Sequence, residues 1–551
     1  MKRMVSPKTM VGSGLLAAAL FCSADAAAII VAKTGGAYAT IQAGLSAANA
    51  GDTVFVKAGT YAETVTFGKS GTAAAPIVLQ NYGTDAPVID GNGTSGNVVS
   101  ISGRSNVQII GFEVMNASGG DPSIGISIEG SGSNILVKNC KVHDIASDNK
   151  NAHGIAAYAT SGTAPILHLT LDGNEVYNCK LGQSESVVLN GNVDSFTVIN
   201  NVVHDNDNIG IDFIGFEGTA SANDQARDGL CANNHVYNIS SKSNPTYGGD
   251  QSADGLYVDG GRNIIIERNI VDNCDIGIEV ASEHGGKTTS DITVRSNFVS
   301  RSYQSNLLTG GYAASKGNAS NIMFVNNTLY HGAQGEVALQ FNCSTITIKN
   351  NICYAGAGQA YLGNWGSNNS GVTVDNNLYY GASTSSPGAW ADAHAMYADP
   401  KLVNAPTDMH LVSNSPAINA GAALTSDIVG TLDIDGQARV AGGTIDIGAD
   451  EYVSTQTISA NAQPLRSSSL ARLEKASPSK WLLTYALTEP AAVSYTLVGM
   501  NGRVLFASAT RHQSAGTNSL SIDCSTLAGS VCCIRAKFGN VIQSFTVATM
   551  R

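Results

Sequence analysis

The sequence predicts an all-β fold, a solenoid of stacked coils followed by a small β-sandwich, and three observations carry the solenoid. Eight asparagines recur in one frame, Asn174, Asn201, Asn234, Asn269, Asn297, Asn327, Asn351 and Asn377, at gaps of 27, 33, 35, 28, 30, 24 and 26 residues. Each follows a β-branched or apolar run, as in TVINNVVHD, IIIERNIVDN and ITIKNNICY. The residues that make the gaps uneven are Gly, Ser, Asn and Asp, which are turn formers. Between residues 95 and 385 the runs are short and β-rich, with almost no 3.6-residue periodicity. A repeat of this length marks coils that cannot bury their apolar face singly and must stack.

Stacked strands lie ~4.8 Å apart, so equivalent residues of successive coils touch. An asparagine at the same bend of every coil can pass its amide to the next and satisfy polar groups that stacking would bury. With its asparagine ladder, the pattern resembles the right-handed parallel β-helix of the pectate lyase superfamily, over about residues 29–455. The ends agree. Gly35–Val65 reads as an amphipathic helix, with Ile41, Leu45 and Ala48 on one face, then a turn and a first strand; it resembles the superfamily's N-terminal cap. Asp399–Tyr452 resembles the closing segment of secreted β-helix proteins.

Residues 1–28 read as a bacterial signal peptide: Lys2, Arg3 and Lys8, an apolar stretch from Val11 to Cys22, and a cleavage site at Ala24-Asp25-Ala26. The expected address is secreted or cell-surface. The net charge is −12, yet residues 455–551 hold nine Lys/Arg against three Asp/Glu, which leaves the rest at −18. An acidic solenoid of this kind excludes nucleic acid as a partner. Cys140, Cys179, Cys231, Cys274, Cys343 and Cys353 sit at coil-like spacings and read as buried apolar thiols. Cys524, Cys532 and Cys533 leave room for one disulfide, and no Cys/His set has zinc spacing.

Residues 456–470 read as a linker and 471–551 as the β-sandwich, with Met500-Asn501-Gly502-Arg503 as a hairpin turn. This last domain resembles the C-terminal sorting domains of type IX-secreted bacterial proteins, which implies surface attachment; a small carbohydrate-binding module is the other reading.

A second strand in each coil follows a glycine: Gly125, Gly154, Gly210, Gly255 and Gly277. Alternation sends Ile126, Ile155, Ile211, Leu256 and Ile278 inward. Asp212, Asp259 and Glu279 then lie outward on three successive coils, within ~10 Å along the stack. Asp207 and Asp254 lie in nearby turns, and Glu283 and His284 follow at once. Such carboxylates suit a cation site, an acid/base pair for glycoside hydrolysis, or a solvated strip. The longest turns, Gly215–Asp228 and Ser240–Asp254, belong to these coils and would wall an extended groove, where Tyr158, Tyr257, Phe216 and Tyr312 could stack on sugar.

The acid-rich coil ends DNDNIGID, SADGLYVD and NCDIGIE resemble those of family 9 polysaccharide lyases. That resemblance implies a Ca2+-dependent lyase acting on a uronic-acid polysaccharide; the expected state of the chain is a monomer. It implies Ca2+ held by Asp212, Asp259 and Glu279 with Asp207 or Asp254, and a basic residue that takes the proton. The family's lysine stands two residues after the glycine, but here that column reads Ala156, Asp212, Tyr257, Glu279 and Leu308. The base must then come from a turn, where Lys287 and His284 are candidates beside Glu283. Arg262 and Arg301 are candidate carboxylate binders, with Tyr257 and Tyr158 as sugar contacts. A glycoside hydrolase using Asp259, Glu279 or Glu283, and a non-catalytic glycan-binding solenoid, are the alternatives.

Overall fold

The computed structural model describes residues 26–147, 150–382 and 386–453, and in the C-terminal part residues 471–477, 480–487, 491–499, 504–508, 511–513, 516–523, 531–538 and 541–548. The signal-peptide residues 1–25, residues 454–470, the turn 500–503, Cys524 and the side chains of Cys532 and Cys533 lie outside the described residues. The chain divides into two units, Met1–Ser454 and Thr455–Arg551.

The first unit is a parallel β-helix of three sheets. Each coil visits sheet 1 (11 strands, Val65–Thr66 to Leu362–Asn364), then sheet 2 (14 strands, Ala28–Val31 to Ser370–Asp375), then sheet 3 (13 strands, Gly59–Ala62 to Met396–Tyr397). Left-handed residues make the bends tight. In one coil they are Asp228, Asn233 and Asn238, with φ of 54°, 57° and 54°. Asn and Asp bear this conformation at least cost after glycine, which accounts for the composition.

The ladder runs along the bend between sheets 2 and 3. Asn234 Oδ1 accepts from the backbone N–H and the Nδ2 of Asn201 at 2.9 and 3.0 Å, while its own Nδ2 donates to the Val198 carbonyl at 3.0 Å. The same bonds repeat through Asn269, Asn297, Asn327 and Asn351 to Asn377. At one end the Cys140 N–H donates to Asn174 Oδ1 at 3.0 Å; at the other, Asp392 Oδ2 accepts from the N–H and Nδ2 of Asn377, both at 3.0 Å.

The glycine column is a packing requirement. A Cβ at Gly255 would stand 2.6 Å from Val271 Cγ1, and one at Gly277 2.5 Å from Val299 Cγ1, each valine lying on the sheet-3 strand that follows. Ile126, Ile155, Ile211, Leu256 and Ile278 are core residues, and the six coil cysteines are free, buried thiols.

A strand, Ala28–Val31, precedes the cap helix, so the strand that follows the helix is the second and not the first. The helix, Ile41–Ala47, buries Ile41 and Leu45, and Glu63 accepts from its first amides, Ile41 N–H at 2.8 Å and Gln42 N–H at 3.0 Å. At the far end Trp390 and Ala395 pack against the core. Residues 399–453 run back along the flank of sheet 3, where Ala449 N–H donates to Thr328 Oγ1 at 3.0 Å and Gly448 N–H to the Asn350 carbonyl at 2.8 Å. The second unit holds two antiparallel sheets, of three and five strands, with Leu483, Leu497, Ile522 and Ile534 buried.

Candidate functional site

Strands Ile211–Ile214, Asp254–Asp259 and Ile276–Ala281 are neighbours in sheet 1. Their register sets Asp212 beside Tyr257 and Tyr257 beside Glu279. The acids are on the expected outward face but do not form an open strip. Asp212, Asp254, Asp259 and Glu279 are 2, 3, 4 and 6% exposed. The flanking turns enclose them: Gly215 N–H donates to the Asp259 carbonyl at 2.7 Å, and Gln225 Nε2 to the Gly260 carbonyl at 2.8 Å.

Burial governs their protonation. It raises Asp212, Asp254 and Asp259 well above the usual carboxylate range, with mutual repulsion adding to it, and pushes Glu279 up to about 8. Glu279 Oε1 accepts from Gln340 Nε2 at 2.9 Å. Interaction between the Asp254 and Glu279 side chains raises Asp254 further and lowers Glu279. One oxygen of Asp212 and one of Asp254, both Oδ1, are buried with no hydrogen-bond partner.

The basic groups stand on the rim between sheets 1 and 2. His284 Nε2 lies 3.8 Å from Asp259 Oδ2 and makes no hydrogen bond. Glu217, Asp259 and His284 each offer a ligand atom within 4.8 Å of the others. Glu283 N–H donates to Asp259 Oδ1 at 2.8 Å, and Tyr257 Oη donates to Glu283 Oε1 at 3.5 Å. Lys287 Nζ sits 5.2 Å above the Phe216 ring and Lys316 Nζ 4.6 Å above the Tyr312 ring.

The structure brings Asp212, Asp254, Asp259, Glu279, Tyr257, Glu283, His284 and Lys287 together, and keeps three expected residues away. Arg262 opens a strand of sheet 2 and lines a surface cavity with Asp228, Asp291 and Asp427. Arg301 follows a strand of sheet 3 and is paired with Asp272. Asp207 accepts from the Leu181 N–H at 2.8 Å and faces Lys180 at 3.7 Å. All three turn away because each belongs to a different sheet or bend of its coil. Tyr158 is half-buried, its Oη donating to His153 Nε2 at 2.8 Å. Burial holds His153 neutral, its pKa down at about 4.

Glu185, Glu217 and Gln340 were not foreseen. Glu185 precedes a strand, Val187–Gly191, whose coil has Ser186 in the glycine column and so lacks the mark used to find the others. Burial, then Glu217, pushes Glu185 up to about 8.

Two family models match the chain: a Pel9A-like right-handed β-helix region over residues 32–180 and a right-handed β-helix region over residues 229–396. The protein YwoF of Bacillus subtilis is 36% identical over 404 residues, covering 67% of this chain and 86% of YwoF. The chain belongs to the family of YwoF. A second relative of this β-helix protein, the pectate trisaccharide-lyase of Bacillus licheniformis, is 29% identical over 141 residues, 26% of this chain and 36% of the lyase. Among solved structures, pectate lyase Pel9A aligns with 78% of the β-helix chain and 97% of its own at 15% identity, with a TM-score of 0.44.

Proposed function

We propose that the chain is an exported, polysaccharide-active β-helix that cleaves uronic-acid polymers by β-elimination with Ca2+ as cofactor. The observation that carries this reading is the group of four buried carboxylates, Asp212, Asp254, Asp259 and Glu279, in which two oxygens meet no partner. Carboxylate oxygens are the ligands a hard divalent cation takes, and buried carboxylates are held together by such a cation or by protons; at this site the ligand atoms that already converge within 4.8 Å are those of Glu217, Asp259 and His284. The local match to a pectate trisaccharide-lyase supports the substrate class.

Bound there, Ca2+ would neutralise the uronate carboxylate and make the adjacent C–H more acidic. Asp212, Asp254, Asp259 and Glu279 would hold it. His284 takes the proton at Nε2, which no hydrogen bond occupies, and Asp259 steadies the imidazolium from 3.8 Å. The carbon–carbon double bond forms as the C–O bond at the next carbon breaks, and the glycosidic oxygen leaves with the electron pair and takes a proton from water. Lys287 and Lys316 on the rim attract the polyanion. The C-terminal unit attaches the monomer to the cell surface.

The test is ultraviolet absorbance of unsaturated product from polygalacturonate, alginate and glycosaminoglycans, with Ca2+ and with chelator. Absorbance that needs Ca2+ and is lost in His284→Ala supports the reading. Activity that survives chelation, or reducing ends without absorbance, sinks it.

A further inference from the structure

A cavity of about 660 Å3 stands apart from the acids, toward the C-terminal end of the helix and beside sheet 3, lined by Tyr354, Tyr361, Tyr380, Tyr397, His331 and Asp399 among others. The strand that follows Tyr361 is three sheet-1 strands beyond the strand of Glu279, ~14 Å along the stack.

Part of this aromatic array is architectural. Tyr330, Tyr354 and Tyr380 are register partners on successive strands, and their rings meet edge to face, 4.8 Å apart at 70° and 72°. Packing explains the column but not the open volume beside it, nor Tyr397. That ring stacks on Tyr379 with centroids 5.5 Å apart and planes at 29°, and it is 41% exposed. Its partner is anchored from behind, with Tyr379 Oη donating to Asp392 Oδ2 at 3.0 Å.

We propose that this cavity is a second saccharide-binding site, for a neutral sugar unit, separate from the acidic groove. Tyrosine rings offer an apolar face to the C–H side of a pyranose, and their hydroxyls offer donors and acceptors at the edge. The volume suits one or two sugar rings. The lining settles the charge of the ligand. No Lys or Arg lines the cavity among the described residues, Asp399 contributes a carboxylate, and burial keeps His331 neutral by lowering its pKa. A uronate would meet an uncompensated negative charge, whereas a neutral hexose or pentose would not. A β-helix with both sites grips a polymer that carries acidic and neutral sugars, or holds a neutral glycan while acting on an acidic neighbour.

The experiment is calorimetric titration of the full chain with neutral hexasaccharides of glucose, xylose, mannose and galactose, and with hexagalacturonate. Tyr397→Ala, Tyr397→Phe and Asp212→Asn are titrated alongside. At least one neutral oligosaccharide binds, Tyr397→Ala weakens it about tenfold or more, and Tyr397→Phe keeps most of the affinity. Asp212→Asn leaves it unchanged, and far-ultraviolet dichroism confirms that Tyr397→Ala is folded. Silence across the neutral panel overturns the proposal, as does binding that ignores Tyr397→Ala or that Asp212→Asn abolishes. Loss of lyase activity alone touches only the reading of the acidic groove.

Discussion

Asp254 and Glu279 lie buried on adjacent strands of sheet 1, and their side chains interact, which raises Asp254 further and lowers Glu279. Burial favours the protonated form of both acids. A cation bound by this pair must displace protons.

Ca2+ binding should therefore release protons. Titration of the full chain with Ca2+ at pH 6.5, in buffers of different ionisation heat, should show at least one proton leaving per ion. The number should shrink as pH rises past 8, where the acids that burial pushes up to about 8, Glu279 and Glu185, have already lost theirs. Binding with no buffer dependence at pH 6.5 would place the ion elsewhere.

Stability without the cation should fall as pH rises. The folded-state values of Asp212, Asp254, Asp259 and Glu279 are all raised. Such groups give their full contribution below the unfolded carboxylate value of about 4 and lose it as pH climbs through the folded value. In chelator, the denaturation midpoint should drop between pH 5 and pH 8, and Ca2+ should restore more of it at pH 8 than at pH 5. Glu336 supplies a control. It is buried in the core, held by Asn306 Nδ2 at 2.5 Å, and pushed by burial up to about 8. Glu336→Gln should flatten part of the pH slope and leave the Ca2+ response intact.

Neutralising one acid should separate stability from function. Asp212→Asn removes a buried charge whose Oδ1 has no partner, so the chelated protein at pH 8 should gain about 1–2 kcal/mol. The same change should abolish the stabilisation by Ca2+ and the formation of unsaturated product. A variant that is both less stable and still Ca2+-responsive would show that Asp212 is structural.

The asparagine ladder was legible because only one side chain does its work. A buried bend must accept from the preceding coil's amide and donate to that coil's carbonyl, and Asn234 and Asn269 do both. The glycine column was legible for a steric reason, the valine behind it, and it failed at Ser186, which hid Glu185. The sheet-1 register was legible as well: Asp212, Tyr257 and Glu279 fall in one column as alternation requires. Burial of that column was not, since it depends on how Gly215 and Gln225 fold back over Asp259. Nor was the separation of Arg262 and Arg301, because a chain that turns three times per coil sends residues close in sequence to different faces.

Asn269→Ala should cost more than any exposed substitution. Asn269 accepts from the N–H and Nδ2 of Asn234 at 2.9 and 3.0 Å and donates to the Cys231 carbonyl and Asn297 Oδ1 at 3.0 Å. Its loss leaves the Asn234 N–H and Nδ2 and the Cys231 carbonyl, all buried on the preceding coil, without these partners, at about 1–3 kcal/mol each before relaxation. Equilibrium denaturation should show a loss of about 3 kcal/mol or more, with a second transition if the stack parts at that coil. A loss under 1 kcal/mol would mean that water replaces the ladder.

Gly277→Ala tests whether backbone packing, and not only chemistry, holds the acids in place. The added Cβ would stand 2.5 Å from Val299 Cγ1, two residues before Glu279. Overpacking at such a point costs about 1–3 kcal/mol, and relief requires the Ile276–Ala281 strand to move outward, carrying Glu279 away from Asp254. The variant should therefore lose both stability and Ca2+ affinity. Gly218 gives the contrast: with φ at 82° and no atom within 4 Å of a Cβ, Gly218→Ala meets only the left-handed backbone penalty, about 1 kcal/mol. Its Ca2+ affinity should match the parent's, and if Gly277→Ala also binds Ca2+ as the parent does, the cation does not depend on the spacing of these two strands.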